Sequence, residues 1–169
     1  MVAWVTASGD THGLPFIIVD KVAAKIFVFG ADNRLIGAAS ALLGVARGDV
    51  APLDIGKRRL ADITPAERIT TAGRFAAHLG RDLGAKEILW VDYDSALSLH
   101  PVVTGNPAEH RLQRLATAST QDNRISYGCI NIPARFYERV VEPLFKPANG
   151  IVYILPETRA LEAVFPLAD

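Results

Sequence analysis

The chain has 169 residues and a mass of 18.2 kDa, which makes one domain, or one domain with a decorated edge; at that length it buries roughly 70% of its unfolded surface without staples. Lys plus Arg number 18 and Asp plus Glu number 18, so the net charge is zero, which argues against a nucleic-acid partner. Apolar residues at 50% and charged residues at 21% exclude an extended disordered chain, and a single cysteine excludes an internal disulfide framework or a Cys-rich zinc site.

The opening residues MVAWVTASGD lack a basic region followed by an apolar run and do not read as a signal peptide. No stretch approaches the ~18 uninterrupted apolar residues of a membrane-spanning helix. Residues 1–13 are expected to be an N-terminal extension and 14–169 the working domain. Pro15 to Asp20 (PFIIVD) and Lys25 to Phe29 (KIFVF) are β-rich, and the tight connection at Lys21 to Ala24 predicts a hairpin. Asp32-Asn33 is a turn signal, with a further strand over Arg34 to Ala39. Residues 46–63 hold no steady period and carry Gly, Pro and Asp. They read as a long loop, of a kind that in compact domains is often functional. Within it, Lys57-Arg58-Arg59 reads as a solvated face, with steering of an anionic polymer as the alternative.

Thr64-Pro65-Ala66-Glu67 supplies a capping residue, a proline at the first helical position and a carboxylate at N3, which predicts one short helix. Gly73 to Ala77 and Glu87 to Tyr93 read as strands, and Ser95 to Leu99 as a strand delivering His100 at its end. Trp90 and Tyr93 have opposite parity, so one is expected in the core and the other in a cleft. Asn106-Pro107-Ala108-Glu109 repeats the helix-start chemistry and predicts a helix to about Ala118. Pro133 opens a third helix to about Leu144, with Phe136, Val140, Val141 and Leu144 at helical spacing, and Ile151 to Leu155 is a last strand. The sum is a mainly β fold, a sandwich or rolled sheet with short helices inserted.

The lone Cys129 lies in Arg124-Ile-Ser-Tyr-Gly-Cys-Ile-Asn-Ile-Pro133. A thiol attacks a carbonyl only as a thiolate, and an adjacent imidazole is the usual means of making one. Gly128 permits a sharp bend without a Cβ, and Ser126 and Asn131 offer short polar side chains to lock the turn. The competing reading is a buried cysteine between Ile125 and Ile130.

The segment resembles the signature of the L,D-transpeptidase family, the YkuD-like catalytic domain, in which a histidine precedes Ser/Thr-His-Gly-Cys-hydrophobic-Asn. Ser126, Gly128, Cys129, Ile130 and Asn131 match, and Tyr127 stands where the family has histidine. Thr70-Thr71-Ala72-Gly73-Arg74-Phe75 is similar to the family's Thr-Pro-x-Gly-x-Phe but departs at the proline, and PFIIVDKVAAKIFVF is similar to its opening strand pair. The resemblance spans roughly residues 14–155. It implies a YkuD-like fold and a peptidoglycan L,D-transpeptidase. Such an enzyme forms a cysteine thioester, releases terminal D-Ala from a tetrapeptide stem and makes 3→3 cross-links, or exchanges or anchors at the same position. A wall-peptide L,D-carboxypeptidase or hydrolase on the same scaffold and a non-catalytic wall-binding module are the alternatives. The resemblance implies no metal and no other cofactor. It places the protein in the periplasm or cell envelope, with its export signal absent from this chain, and its partners are peptidoglycan stem peptides.

Two histidines compete for the base. His100 ends a strand, as the family's base does, but lies 29 positions before Cys129, beyond the usual spacing. His110 has the family spacing, with fifteen residues between it and Ser126, yet falls in the first turn of a predicted helix. Strand context favours His100, since loop insertions cost little, and His110 remains the alternative. His12 and His78 read as solvated or structural. Tyr127 cannot replace an imidazole as acceptor near neutral pH, because its phenol titrates near about 10. It is expected to shape an oxyanion pocket with the backbone of Tyr127 to Cys129. Arg124 is the nearest cation for a stem carboxylate; the alternative is a solvated arginine or a partner for Asp122.

Overall fold

A computed structural model describes residues 1–82, 84 and 86–165; the last four residues of the expected 14–169 domain lie outside the described residues. The fold is mainly β, as expected. Strands β1 (Phe16–Asp20), β2 (Lys25–Phe29), β3 (Leu35–Ser40), β5 (Gly73–Arg81), β6 (Glu87–Asp92), β7 (Leu97–Pro101), β9 (Ile130–Ile132) and β10 (Gly150–Ile154) form one sheet in the order β3-β2-β1-β10-β5-β6-β7-β9. The sheet rolls until its two edges nearly meet. Leu42, two residues beyond β3, exchanges both backbone hydrogen bonds with Asn131 of β9, at 2.8 and 3.0 Å. A second, two-stranded sheet pairs β4 (Leu43–Gly44) with β8 (Arg124–Ser126) and brings the start of the cysteine motif to this seam.

Period-two alternation divides the central strands between two cores. Ile17, Val19, Val152 and Ile154 face the interior of the roll, while Phe16, Ile18, Ile151 and Tyr153 face outward under a second apolar cluster. That outer cluster is covered by α1 (Val2–Ser8), whose Val5 is fully buried, and by Phe165. Asp10, just after α1, is bound by Arg74 of β5 and by the Tyr153 hydroxyl. Met1, Trp4 and Val5 are thus absorbed by the outer face of the sheet, while Val2 stays exposed.

The β1–β2 hairpin forms where expected, with Asp20 Oδ1 accepting from Ala23 N at 2.8 Å inside the turn. The helices are shorter than their start signals suggest. Thr64 and Glu67 make the capping box, but only a single 3₁₀ turn, Pro65–Glu67, follows, because β-branched Ile69, Thr70 and Thr71 come next. The helix expected from Asn106 to about Ala118 is broken at His110, which takes left-handed backbone angles (φ 49) between a 3₁₀ turn, Pro107–Glu109, and α2 (Arg111–Ala116). The stretch after Pro133 is helical through Phe145, as α3 (Ala134–Phe136), a π turn (Tyr137–Val141) and α4 (Glu142–Phe145). Pro143 cannot donate a hydrogen bond to the preceding turn, and the widened π turn lies directly upstream of it.

Candidate active site

The site is a consequence of register. β7 and β9 run parallel with Leu99 opposite Ile130 and His100 opposite Asn131. Alternation turns Leu97, Leu99, Ile130 and Ile132 into the main core. It turns Ser98, His100 and Asn131 to the opposite face, together with Cys129 immediately before β9. Cross-strand pairing extends the row, with Ser98 opposite Trp90 of β6 and Trp90 opposite His78 of β5. One face of four strands is therefore hydrophobic core, and the other carries the cysteine and the histidine.

Ser98 donates its hydroxyl to Cys129 Sγ at 3.4 Å, and the sulfur lies 3.4 Å from the Ala96 carbonyl. His100 Nδ1 is 2.8 Å from the Pro101 carbonyl. A carbonyl only accepts, so Nδ1 carries the proton and Nε2 of the neutral ring is left as an acceptor. Burial pushes the Cys129 thiol up, but His100 and the Ser98 hydroxyl and backbone N–H outweigh it and hold the thiol below its ordinary range. Burial pushes His100 down, but the facing Cys129 and the Pro101 carbonyl hold the imidazole above its ordinary value, against opposition from nearby Arg111. The opposed shifts describe one coupled pair that favours thiolate and imidazolium together.

The turn carrying the sulfur is locked from within. Ser126 Oγ accepts from Gly128 N at 3.1 Å and donates to the Cys129 carbonyl at 2.6 Å. Asn131 Nδ2 donates to the same carbonyl at 3.2 Å, and Arg111 Nη1 donates to Asn131 Oδ1 at 2.8 Å. Gly128 sits at φ 135, and a Cβ there would lie 2.9 Å from the Ile69 carbonyl oxygen. Only glycine fits that approach.

Half-buried Cys129 borders a small cavity of about 100 Å³. Tyr127, Gly128 and Cys129 form one side, and Ile55, Leu60 and Ile63 of the long loop form the other. The loop read from residues 46–63 thus supplies an apolar wall. Within the Lys57-Arg58-Arg59 cluster, Arg58 pairs with Asp54 and Glu67 and Arg59 with Asp62, while Lys57 is exposed. Tyr127 is 36% exposed, and its ring lies under the Arg68 guanidinium, whose Cζ is 3.9 Å from the ring centroid.

Cys129, His100, Ser126, Gly128 and Asn131 come together, with Tyr127 at the rim. Arg124 does not join them. Its side chain is 7% exposed, and its guanidinium bonds Glu157 at 2.6 and 3.0 Å and the Lys21 carbonyl at 2.7 Å, engaged in a buried charge cluster rather than presented to a ligand. His110, the alternative base, is exposed at the break before α2. His78 pairs with Tyr93, its Nε2 3.2 Å from the hydroxyl, and His12 is exposed. The expected division of Trp90 and Tyr93 between core and cleft is not what forms. A register shift between Trp90 and Asp92 undoes the parity, and the two rings stack at 4.5 Å. Ser98 and Arg111 belong to the site but were not picked out from sequence. Alternation with His100 marks Ser98, whereas nothing local marks Arg111. Among the described residues no group of three or more His, Cys, Asp or Glu is placed to hold a metal ion, and no helix is long and apolar enough to cross a membrane.

No family model matches the chain, and no curated protein matches it by sequence. Among solved structures it is similar to the L,D-transpeptidase (residues 123–326) from Xylanimonas cellulosilytica DSM 15894, with a TM-score of 0.45 and 14% identity over 83% of this chain and 60% of that one. It is also similar to the LD transpeptidase LdtMt1 in complex with imipenem, with a TM-score of 0.46 and 12% identity over 83% of this chain and 58% of that one. The chain spans less than two thirds of the length of either.

Proposed function

We propose that the protein is a cysteine acyltransferase of the L,D-transpeptidase type, acting on peptidoglycan stem peptides in the cell envelope. The observation that carries this reading is the Cys129–His100 pair: one sheet face, an imidazole anchored through Nδ1 to Pro101, a thiol shifted down and an imidazole shifted up. The cysteine motif supports the substrate class, through its resemblance at Ser126, Gly128, Cys129, Ile130 and Asn131. The cavity beside Cys129 leaves room at the sulfur for a donor carbonyl to approach.

In this reading His100 Nε2 takes the thiol proton and Cys129 attacks the carbonyl joining the L-centre of a diamino acid to terminal D-Ala. The Cys129 backbone N–H holds the oxyanion, the Gly128 N–H being committed to Ser126 Oγ. The imidazolium returns the proton to the leaving D-Ala amine, and a thioester remains on Cys129. The amine of a neighbouring stem resolves it into a 3→3 cross-link. Tyr127 serves by walling the cavity, since its ring is engaged by Arg68. Arg124 and His110 have no part in this mechanism. Incubation with disaccharide tetrapeptide and mass analysis of the products tests the proposal. Dimers cross-linked 3→3, with free D-Ala, are expected. Trimmed monomers alone would assign a carboxypeptidase, and no product at all would reject the reading.

A further inference from the structure

We propose that Thr70 is a positioning residue whose hydroxyl fixes the Gly128–Cys129 peptide and so aims the Cys129 N–H at the oxyanion. This deepens the acyl-transfer reading above and rests on it.

Thr70 is 1% exposed. Its Oγ1 donates to the Gly128 carbonyl at 2.7 Å and accepts from Gly44 N at 2.9 Å. A hydroxyl has one proton, so these two bonds fix its orientation. The Thr70 carbonyl in turn accepts from Lys21 Nζ at 2.9 Å. That ammonium, fully buried, is also bound by Asp49 Oδ1 at 2.7 Å and by the Gly48 carbonyl. Thr70 is therefore pinned by a buried ion pair on its backbone side, and with its side chain it ties the β4 segment to the nucleophile turn. Ile69 and Thr71 line the cavity, while Thr70 lies behind it.

The Gly128–Cys129 peptide is trans, and in a trans peptide the N–H points opposite to the C=O. With the Gly128 carbonyl held on the buried Thr70 hydroxyl, the Cys129 N–H is directed away from Thr70. Glycine leaves this peptide the least restrained in the turn, because no Cβ limits its rotation. The hydroxyl supplies the restraint that the missing side chain does not. An oxyanion donor is effective only when it is oriented before charge develops, so this bond acts on the rate of acylation without touching the substrate.

Two reagents separate the roles. With p-nitrophenyl acetate the thiolate adds to the carbonyl carbon, a C–S bond forms, the oxygen carries the charge, and collapse breaks the C–O bond to expel p-nitrophenolate. With iodoacetamide the thiolate displaces iodide at saturated carbon and no oxyanion forms. Thr70→Val is expected to slow the p-nitrophenolate burst by about 10- to 100-fold. It should leave the alkylation rate and its pH midpoint within about twofold of the parent. Thr70→Ser should restore the burst. Where valine prevents folding, Thr70→Ala against Thr70→Ser makes the same comparison. A folded Thr70→Val with an unchanged burst, a loss of alkylation in step with acylation, or a Thr70→Ser protein as slow as the valine or alanine variant would each overturn the inference. If the parent alkylates but gives no burst, the acyl-transfer reading itself fails, and this inference with it.

Discussion

Gly128→Ala puts a side chain where the nucleophile turn has no room for one. The added Cβ would stand 2.9 Å from the Ile69 carbonyl oxygen, a backbone atom with no rotamer to escape into. The φ of 135 also lies where side chains are strained, at about 1–3 kcal/mol. Relief requires the turn to move off the 68–71 segment, which breaks the 2.7 Å bond from Thr70 to the Gly128 carbonyl. Leaving those buried groups unpaired costs a further ~1–3 kcal/mol. The two contributions overlap, since movement that relieves one causes the other, so about 3 kcal/mol of lost stability is expected. For a chain of this size that lowers Tm by roughly 6–12 °C. Urea unfolding followed by tryptophan fluorescence measures it, with iodoacetamide alkylation of the folded variant reporting on Cys129. An alanine variant within about 0.5 kcal/mol of the parent and alkylated at the same rate would refute the assigned turn geometry.

His100→Ala should reduce thioester formation by at least about 100-fold, as loss of a general base does, whereas His110→Ala should stay within about twofold; the reverse ranking in stopped-flow acylation would move the base. Reactivity of the pair should rise through an acid limb below the ordinary thiol range, because Cys129 is shifted down. It should fall through an alkaline limb above the ordinary imidazole value, because His100 is shifted up. A rate against pH that follows a free thiol would contradict this. Asp49→Asn should cost about 3 kcal/mol by urea titration, since it takes from the buried Lys21 ammonium its 2.7 Å carboxylate and leaves it Glu157 at 3.8 Å. Burial pushes Asp49 up, but Lys21, the Thr158 hydroxyl and the N–H groups of Glu157 and Thr158 hold it far below the usual carboxylate range. Its contribution is therefore present above the unfolded carboxylate value, near about 4, and is lost as pH falls through the lowered native value. Denaturation midpoints measured down the acid range should show a loss that Asp49→Asn does not share.

Local chemistry was the legible part. The β1–β2 hairpin is written in two β-rich runs and a short connection, and the cysteine turn in a glycine with flanking short polar side chains. The strand bearing His100 shows its alternation, and the same alternation carries Ser98 to the same face. What the sequence did not reveal depends on partners far along the chain. Arg124 looks like a cation free for a ligand until Glu157, 33 residues later, is folded against it. His110 falls in an apparent helix, yet Arg114 Nε reaches the Glu109 carbonyl and Arg111 is drawn to Asn131 around a left-handed break. Strands as short as Arg124–Ser126 and Ile130–Ile132 have no period to read, and they exist through their pairing with β4 and β7. A single register shift was enough to bring Trp90 and Tyr93 together against their parity.

The central claim is that Cys129 is an acylated nucleophile. Intact mass of the protein mixed with a tetrapeptide-bearing muropeptide addresses it directly. A covalent adduct equal to the donor less its terminal D-Ala is expected, mapped to Cys129 and absent from Cys129→Ala. A thiol that stays unmodified while the muropeptide is turned over, or turnover that survives in Cys129→Ala, would contradict it.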